Sequence, residues 1–126
     1  MKKGFTLIEL LAVIIILAIV ALIATPIILN VVDDARQSAA RSEASMIVSG
    51  VNNYCATASM KNQLDGTEDI CANGVEPTEV STMVNLGNAT VTSITYNTTS
   101  GAVTELTIKS NSYTVTYNGT SFSVSK

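Results

Sequence analysis

The chain has 126 residues and a net charge of −3; 47% of its residues are hydrophobic and only 13% are charged. It contains two cysteines and no histidine, so it lacks the ligands of a Cys/His zinc site and the base of a Ser-His or Cys-His nucleophilic pair. This composition argues against an enzyme, and no pattern in the sequence predicts a cofactor.

Hydrophobic and polar residues occupy different parts of the chain. Residues 10–32 carry no charge, whereas 24 of the 47 residues from 80 to 126 are Thr, Ser or Asn. Lys2 and Lys3 precede the apolar run, and residues 5–126 hold 5 basic and 10 acidic side chains. With so few cations, the body of the chain is not expected to bind duplex nucleic acid.

The first predicted element is an apolar helix that crosses a membrane. Between Leu10 and Leu29 only Thr25 and Pro26 interrupt the aliphatic residues, and about 20 helical residues span a hydrocarbon core of roughly 30 Å. The lysines before this run and the two aspartates after it predict a cytoplasmic N-terminus and an outer C-terminal part. A secretory signal peptide is the alternative, but the run is longer than usual and has no Ala-x-Ala triplet for signal peptidase.

Glu9 is the only charged residue between Lys3 and Asp33. A carboxylate within a membrane segment costs up to about 3 kcal/mol on insertion, so it is by default a functional group that needs a partner. The alternative is a side chain that extends to the lipid headgroups and has no further role.

The first ten residues, Met-Lys-Lys-Gly-Phe-Thr-Leu-Ile-Glu-Leu, resemble the class III signal of type IV prepilins and pseudopilins, and the resemblance extends over about the first 35 residues. It implies that a prepilin peptidase cleaves between Gly4 and Phe5 and that the new Phe5 amine is methylated. It also implies that this amine pairs with Glu9 of a neighbouring subunit during assembly. The implied partners are further copies of the chain, the peptidase, an assembly ATPase and a platform protein.

The chemistry of the new amine agrees with this pairing. An α-amine has a reference pKa of about 8, so it is mostly cationic at neutral pH. Residues 5 and 9 lie one helical turn apart, so the amine of Phe5 can pair with Glu9 of its own chain or of a neighbour.

This organisation predicts a leader (residues 1–4), a membrane-spanning and filament-core segment (residues 5–32) and a head (residues 33–126). One helix is predicted from about Phe5 to about Tyr54, with a kink or a local loss of helix from Leu22 to Pro26, where proline removes a backbone donor. The alternative is a membrane proline without a role. The apolar stripe of the helix beyond the membrane is predicted to comprise Val32, Ala35, Ala39, Met46, Ile47, Val51 and Tyr54.

A polar connection is predicted after the helix, and Cys55 and Cys71 bracket its first part. If the head lies outside the cytoplasm, the two cysteines allow one disulfide, which would contribute about 3 kcal/mol. The alternative is two free thiols in a reducing habitat. A calcium site is a weaker interpretation of the acidic residues here, because Asp65 to Asp69 lack the spacing of a known calcium loop.

Four strands are predicted from period-two alternation, at residues 91–96, 103–109, 113–117 and 120–125. Asn118-Gly119 predicts a two-residue hairpin turn, and looser turns are expected at residues 97–101 and 110–112. The predicted inward face comprises Leu106, Ile108, Tyr113, Val115, Tyr117, Phe122 and Val124. A sheet with one apolar face should pack on the helix, which predicts an α+β fold. The Asn-x-Thr triplets at Asn88, Asn97 and Asn118 are attributed to turn chemistry rather than to glycosylation.

The resemblance implies a structural role: a type IV pilin, or the subunit of a related filament, made as a single-pass membrane precursor and then assembled outside the cell. Within the same class, the alternative is a pseudopilin of a type II secretion or DNA-uptake system. A membrane-tethered ligand-binding module is the alternative from a different class.

Overall fold

The computed structural model describes residues 4–126, which form two helices and four strands. The elements are α1 (Leu7–Asp65), α2 (Val80–Met83), β1 (Ala89–Asn97), β2 (Ala102–Ser110), β3 (Tyr113–Tyr117) and β4 (Phe122–Ser125). The described chain divides into two units between Arg36 and Gln37. The helix packing against an antiparallel sheet in the second unit confirms the predicted α+β class.

The first unit contains the apolar part of α1. All the large aliphatic side chains from Leu7 to Val31 are exposed, and a helix that is hydrophobic on all sides is typical of one that lies in lipid or inside an assembly. The helix continues through Pro26, and the Thr25 hydroxyl donates to the Ala21 carbonyl oxygen at 2.6 Å. No loss of helix occurs before the proline, and a kink stays a prediction.

Helix α1 extends eleven residues beyond the predicted end at Tyr54. Residues 55–65 contain no proline or glycine, so nothing in this segment interrupts the backbone hydrogen bonds of the helix. Gly66 adopts a φ of +74°, and its N–H donates to the Asn62 carbonyl oxygen at 3.0 Å. This left-handed glycine ends the helix.

The buried face of α1 in the second unit differs from the predicted stripe. The buried residues are Ala40, Ala44, Ile47, Val48, Val51 and Cys55. Of the predicted stripe only Ile47 and Val51 are among them, whereas Met46 and Tyr54 are exposed. Met46, Ile47 and Val48 are consecutive apolar residues about 100° apart around the helix, so the sequence pattern alone does not determine which of them faces the sheet.

The sheet is an antiparallel meander in the order β1-β2-β3-β4. Leu106, Ile108, Tyr113 and Val115 are buried against α1 as predicted. The predicted inward residues nearest the C-terminal edge, Tyr117, Phe122 and Val124, are only half-buried, and the rings of Tyr117 and Phe122 stack at 4.6 Å.

The predicted order of tight and loose hairpins is wrong. The two-residue loop is Asn111-Ser112, because Ser110 pairs with Tyr113 and Asn111 adopts a φ of 55°. The β3–β4 loop instead has four residues, since Tyr117 pairs with Phe122. The Asn118 Oδ1 atom accepts from the N–H groups of Thr120 and Ser121 at 3.1 and 2.9 Å, and this side-chain turn requires the longer loop.

One side chain of α1 completes the hydrogen bonding of the sheet. The β1–β2 register shifts between Thr95 and Tyr96, and Tyr96 then pairs with Val103. The N–H group of Val103, a buried residue, donates to the Asn52 Oδ1 atom of α1 at 2.8 Å. A helix side chain therefore satisfies a sheet donor at this irregularity.

The connection between α1 and β1 includes the short helix α2, which the sequence did not predict. Its C-cap residue, Val84, packs closely against Gly50 of α1: a Cβ atom added at Gly50 would lie 2.5 Å from Val84 Cγ2. Cys55 and Cys71 also join the connection to the helix through a disulfide, with their Cα atoms 5.6 Å apart.

Candidate functional site

The segment from Gly4 to Glu9 forms the start of α1. Residues 4–6 precede the helix, and Thr6 is its N-cap. The Thr6 N–H donates to Glu9 Oε2 at 3.0 Å, and the Glu9 N–H donates to Thr6 Oγ1 at 3.2 Å. These reciprocal bonds form a capping box, which satisfies two backbone donors that a helix start otherwise leaves unpaired.

The capping box gives Glu9 a position that the sequence analysis did not predict. Its carboxylate lies in the first turn of α1, where the positive end of the helix dipole stabilises a negative charge. Thr6, the partner of Glu9 in the capping box, is a site residue that was not predicted. The pattern Thr-x-x-Glu directly before an apolar run is the signal that would have identified it.

Gly4 and Phe5, the predicted cleavage site, are both exposed, and 94% of the Phe5 surface is accessible. A Cβ atom added at Gly4 would meet nothing within 4 Å. The described chain itself therefore imposes no steric need for glycine at this position, so a requirement for glycine would come from the processing enzyme. The leader residues 1–3 lie outside the described residues.

The other predicted site residues lie away from this segment. Pro26 lies within α1 in the first unit, and Cys55 and Cys71 lie in the second unit with their sulfur atoms 2.02 Å apart. The structure thus brings Gly4, Phe5 and Glu9 to one helix start. Within residues 4–126, no three His, Cys, Asp or Glu side chains lie close enough together to hold a metal ion.

Two groups of the second unit have shifted pKa values. The hydroxyl and the backbone N–H of Thr67 donate to Asp65, and these hydrogen bonds lower the pKa of the Asp65 carboxyl. Burial, with a smaller contribution from the nearby Asp69 carboxylate, raises the pKa of the Tyr96 hydroxyl. Both shifts have local causes in the head, and neither group belongs to the N-terminal segment.

Comparison with known proteins identifies the N-terminal segment. A family model described as the prokaryotic N-terminal methylation motif matches residues 1–25, which include Gly4, Phe5 and Glu9. No significant match was found among curated proteins or among solved structures. Within the described residues, α1 is the helix that is long and apolar enough to cross a membrane, which fits a membrane-anchored precursor. The chain therefore carries a class III prepilin-type signal, the N-terminal signal of type IV pilin-like precursors.

Proposed function

We propose that the chain is a pilin, the structural subunit of a type IV pilus or of a pilus-like filament. It is made as a membrane-anchored precursor, cleaved after Gly4, methylated at Phe5 and polymerised through α1. The observation that carries this proposal is the match to the methylation motif on a segment that leads directly into an exposed apolar helix.

The apolar half of α1 supports polymerisation. Its large aliphatic side chains are exposed from Leu7 to Val31, and the burial of each such side chain is worth about 1.5–3 kcal/mol. Lipid supplies that burial in the precursor. In a filament, the same side chains of neighbouring copies supply it, so the subunit leaves the membrane without exposing this surface to water.

Glu9 supports the proposed register between subunits. Cleavage after Gly4 creates an amine on Phe5, one residue before the Thr6 N–H that donates to Glu9. The carboxylate that caps the helix thus accepts a hydrogen bond from the residue that directly follows the new cation. Because an unpaired charge in apolar surroundings is costly, a neighbour that offers the complementary charge is favoured at one axial position.

Each segment of the chain has a separate role in this proposal. Residues 1–4 are the leader that the peptidase removes, residues 5–32 are the membrane and core segment, and residues 33–126 are the head. The N-terminus is cytoplasmic in the precursor and the head lies outside, where its Thr- and Ser-rich strands face water. An assembly ATPase and a platform protein extract the subunit from the membrane and add it to the filament.

The charge and the capping role of Glu9 can be tested separately. Glu9→Gln keeps an acceptor for the Thr6 N–H but removes the charge, whereas Thr6→Val keeps the charge but removes the acceptor for the Glu9 N–H. We expect normal cleavage in both variants. The yield of sheared surface filaments should fall by about tenfold or more in Glu9→Gln, which corresponds to at least about 1.4 kcal/mol, and should remain near wild type in Thr6→Val.

Equal loss of filaments in both variants would refute the pairing role and attribute the effect to helix capping. Normal filaments from Glu9→Gln would refute it as well. If the chain is processed but forms no detachable filament, and its deletion impairs secretion or DNA uptake, the chain is a pseudopilin instead.

A further inference from the structure

A recess in the second unit lies between α1 and the loop that precedes β1. Its volume is about 320 Å³, and its lining comprises Glu43, Met46, Ile47, Asn85, Leu86 and Gly87. The Asn85 side chain fixes the loop, because its Oδ1 atom accepts from the Gly87 N–H at 3.0 Å. The recess therefore has one wall from the helix and one from a fixed turn.

The Glu43 Oε2 atom is buried, and within residues 4–126 no donor hydrogen-bonds to it. Buried carboxylate oxygens are almost always hydrogen-bonded, since an unsatisfied charged acceptor carries the full cost of its desolvation. The fully buried residues of α1 are all apolar, so packing alone would favour an aliphatic side chain over the Glu43 carboxylate at this position. The Glu43 carboxylate therefore needs a hydrogen-bond donor, and a cationic donor would also complement its negative charge.

The remaining lining indicates what shape of cation fits. Ile47 is buried and Leu86 half-buried in the lining, while Met46 is 62% exposed. An apolar stem that ends in a cation can pack on such side chains while its head reaches the carboxylate. Arginine suits this geometry best, because its planar guanidinium is weakly hydrated and bonds a carboxylate in a fork arrangement.

The chain contains two arginines, Arg36 and Arg41, and both are exposed on α1. Arg41 precedes Glu43 by two residues, which is about 200° around a helix, so the two side chains leave opposite sides of α1. An open helical filament is built from heterologous contacts, in which one side of a subunit meets a different side of the next. Arg41 and Glu43 lie on two such sides, at nearly the same position along the axis of α1.

We propose that the recess at Glu43 binds the Arg41 side chain of a second copy of the chain in the filament. The contact forms an ion pair between heads, separate from the pairing at the N-terminal segment. This inference rests on the proposed filament. It adds a residue pair that would link the outer layer of neighbouring subunits.

A double-mutant cycle on the full chain in cells tests this pair. Glu43→Gln, Arg41→Gln and the double variant are compared by the yield of sheared filaments, and Glu105→Gln, which alters an exposed acid on β2, is the control. Each single variant should lower the yield by about tenfold, because removal of one partner of a close charge pair weakens the contact by at least this order. The double variant should lose no more than either single variant, and the control should match wild type.

A charge swap gives the direct test. Glu43→Arg and Arg41→Glu should each impair assembly, and their combination should restore it, whereas Glu43→Arg with Arg36→Glu should not. Three outcomes would each overturn the assignment. The filament yield of the double Gln variant could equal the product of the two single losses, Arg36→Glu could restore assembly of Glu43→Arg, or Glu43→Gln could give the wild-type yield. The amount of processed, disulfide-bonded subunit in the membrane shows that each variant folds. Wild-type filaments that carry methylated Phe5 would leave the proposed function intact even if this pair fails.

Discussion

Removal of the Asn52 side chain should destabilise the head through one hydrogen bond. The Asn52 Oδ1 atom accepts from the Val103 N–H at 2.8 Å, and Val103 is only 3% exposed. In Asn52→Ala this donor stays buried without an acceptor. An unsatisfied buried donor costs about 1–3 kcal/mol, so we expect a loss of that size in the free energy of unfolding.

Asn53→Ala is the matched control, because Asn53 neighbours Asn52 on α1 and is exposed. Both variants replace asparagine by alanine in the same helix, so both gain about the same helix propensity, roughly 0.5 kcal/mol. The difference between the two variants therefore isolates the buried hydrogen bond. It should be at least about 1 kcal/mol, which corresponds to a Tm difference of about 4–8 °C for a unit of this size.

The assay is denaturant unfolding of the full chain in detergent, with the disulfide intact, followed by circular dichroism in the near-ultraviolet region of tyrosine. Asn52→Asp retains an oxygen acceptor for the Val103 N–H and should lose less stability than Asn52→Ala. If Asn52→Ala and Asn53→Ala unfold within about 0.5 kcal/mol of each other, the sheet does not depend on this helix side chain and the reasoning is refuted.

Two further predictions concern the connection that follows α1. Gly50→Ala should destabilise the chain on denaturant unfolding, because crowding of Val84 costs about 1–3 kcal/mol and opposes the gain of about 1 kcal/mol from helix propensity; a net gain would contradict the close packing. Thr67→Ala should raise the pKa of Asp65 toward 3.8 in a carboxyl NMR titration, because two hydrogen bonds from Thr67 favour the charged form. Since the folded pKa is lowered, the stability from this group is present above the ordinary pKa of aspartate and is lost as the pH falls through the folded value. An unchanged Asp65 pKa in Thr67→Ala would contradict the assigned cause.

Local patterns predicted most of the architecture. The charge-free run predicted the apolar helix, and period-two alternation in the last third predicted four strands, each within two residues of its observed boundaries. Both signals depend only on neighbouring residues. The N-terminal signal was likewise recognisable because it is a short contiguous pattern that includes Gly4, Phe5 and Glu9.

Features that depend on distant contacts were not predictable in the same way. The buried face of α1 could not be chosen among Met46, Ile47 and Val48, because the sheet decides which of them it covers. The role of Asn52 depends on a register shift in a strand about fifty residues away in sequence. The recess at Glu43 arises only where the loop before β1 meets the helix.

The short and the long hairpin loops were predicted at the wrong positions for a related reason. Asn118-Gly119 has the residues of a two-residue turn, but the asparagine side chain forms several local hydrogen bonds that stabilise a longer loop. Asn111 accepts the left-handed conformation without a glycine after it, and the pairing of Ser110 with Tyr113 fixes the short loop there. Side-chain acceptors thus compete with the intrinsic turn preference.

The sequence and methylation of the mature N-terminus decide whether the chain is a processed filament subunit. Filaments sheared from the cell surface would be isolated and the mass of the N-terminal peptide of this chain determined. We expect a peptide that begins at Phe5 and carries one methyl group on its amine. A surface filament whose subunit still begins at Met1, or begins at Phe5 without the methyl group, would contradict it.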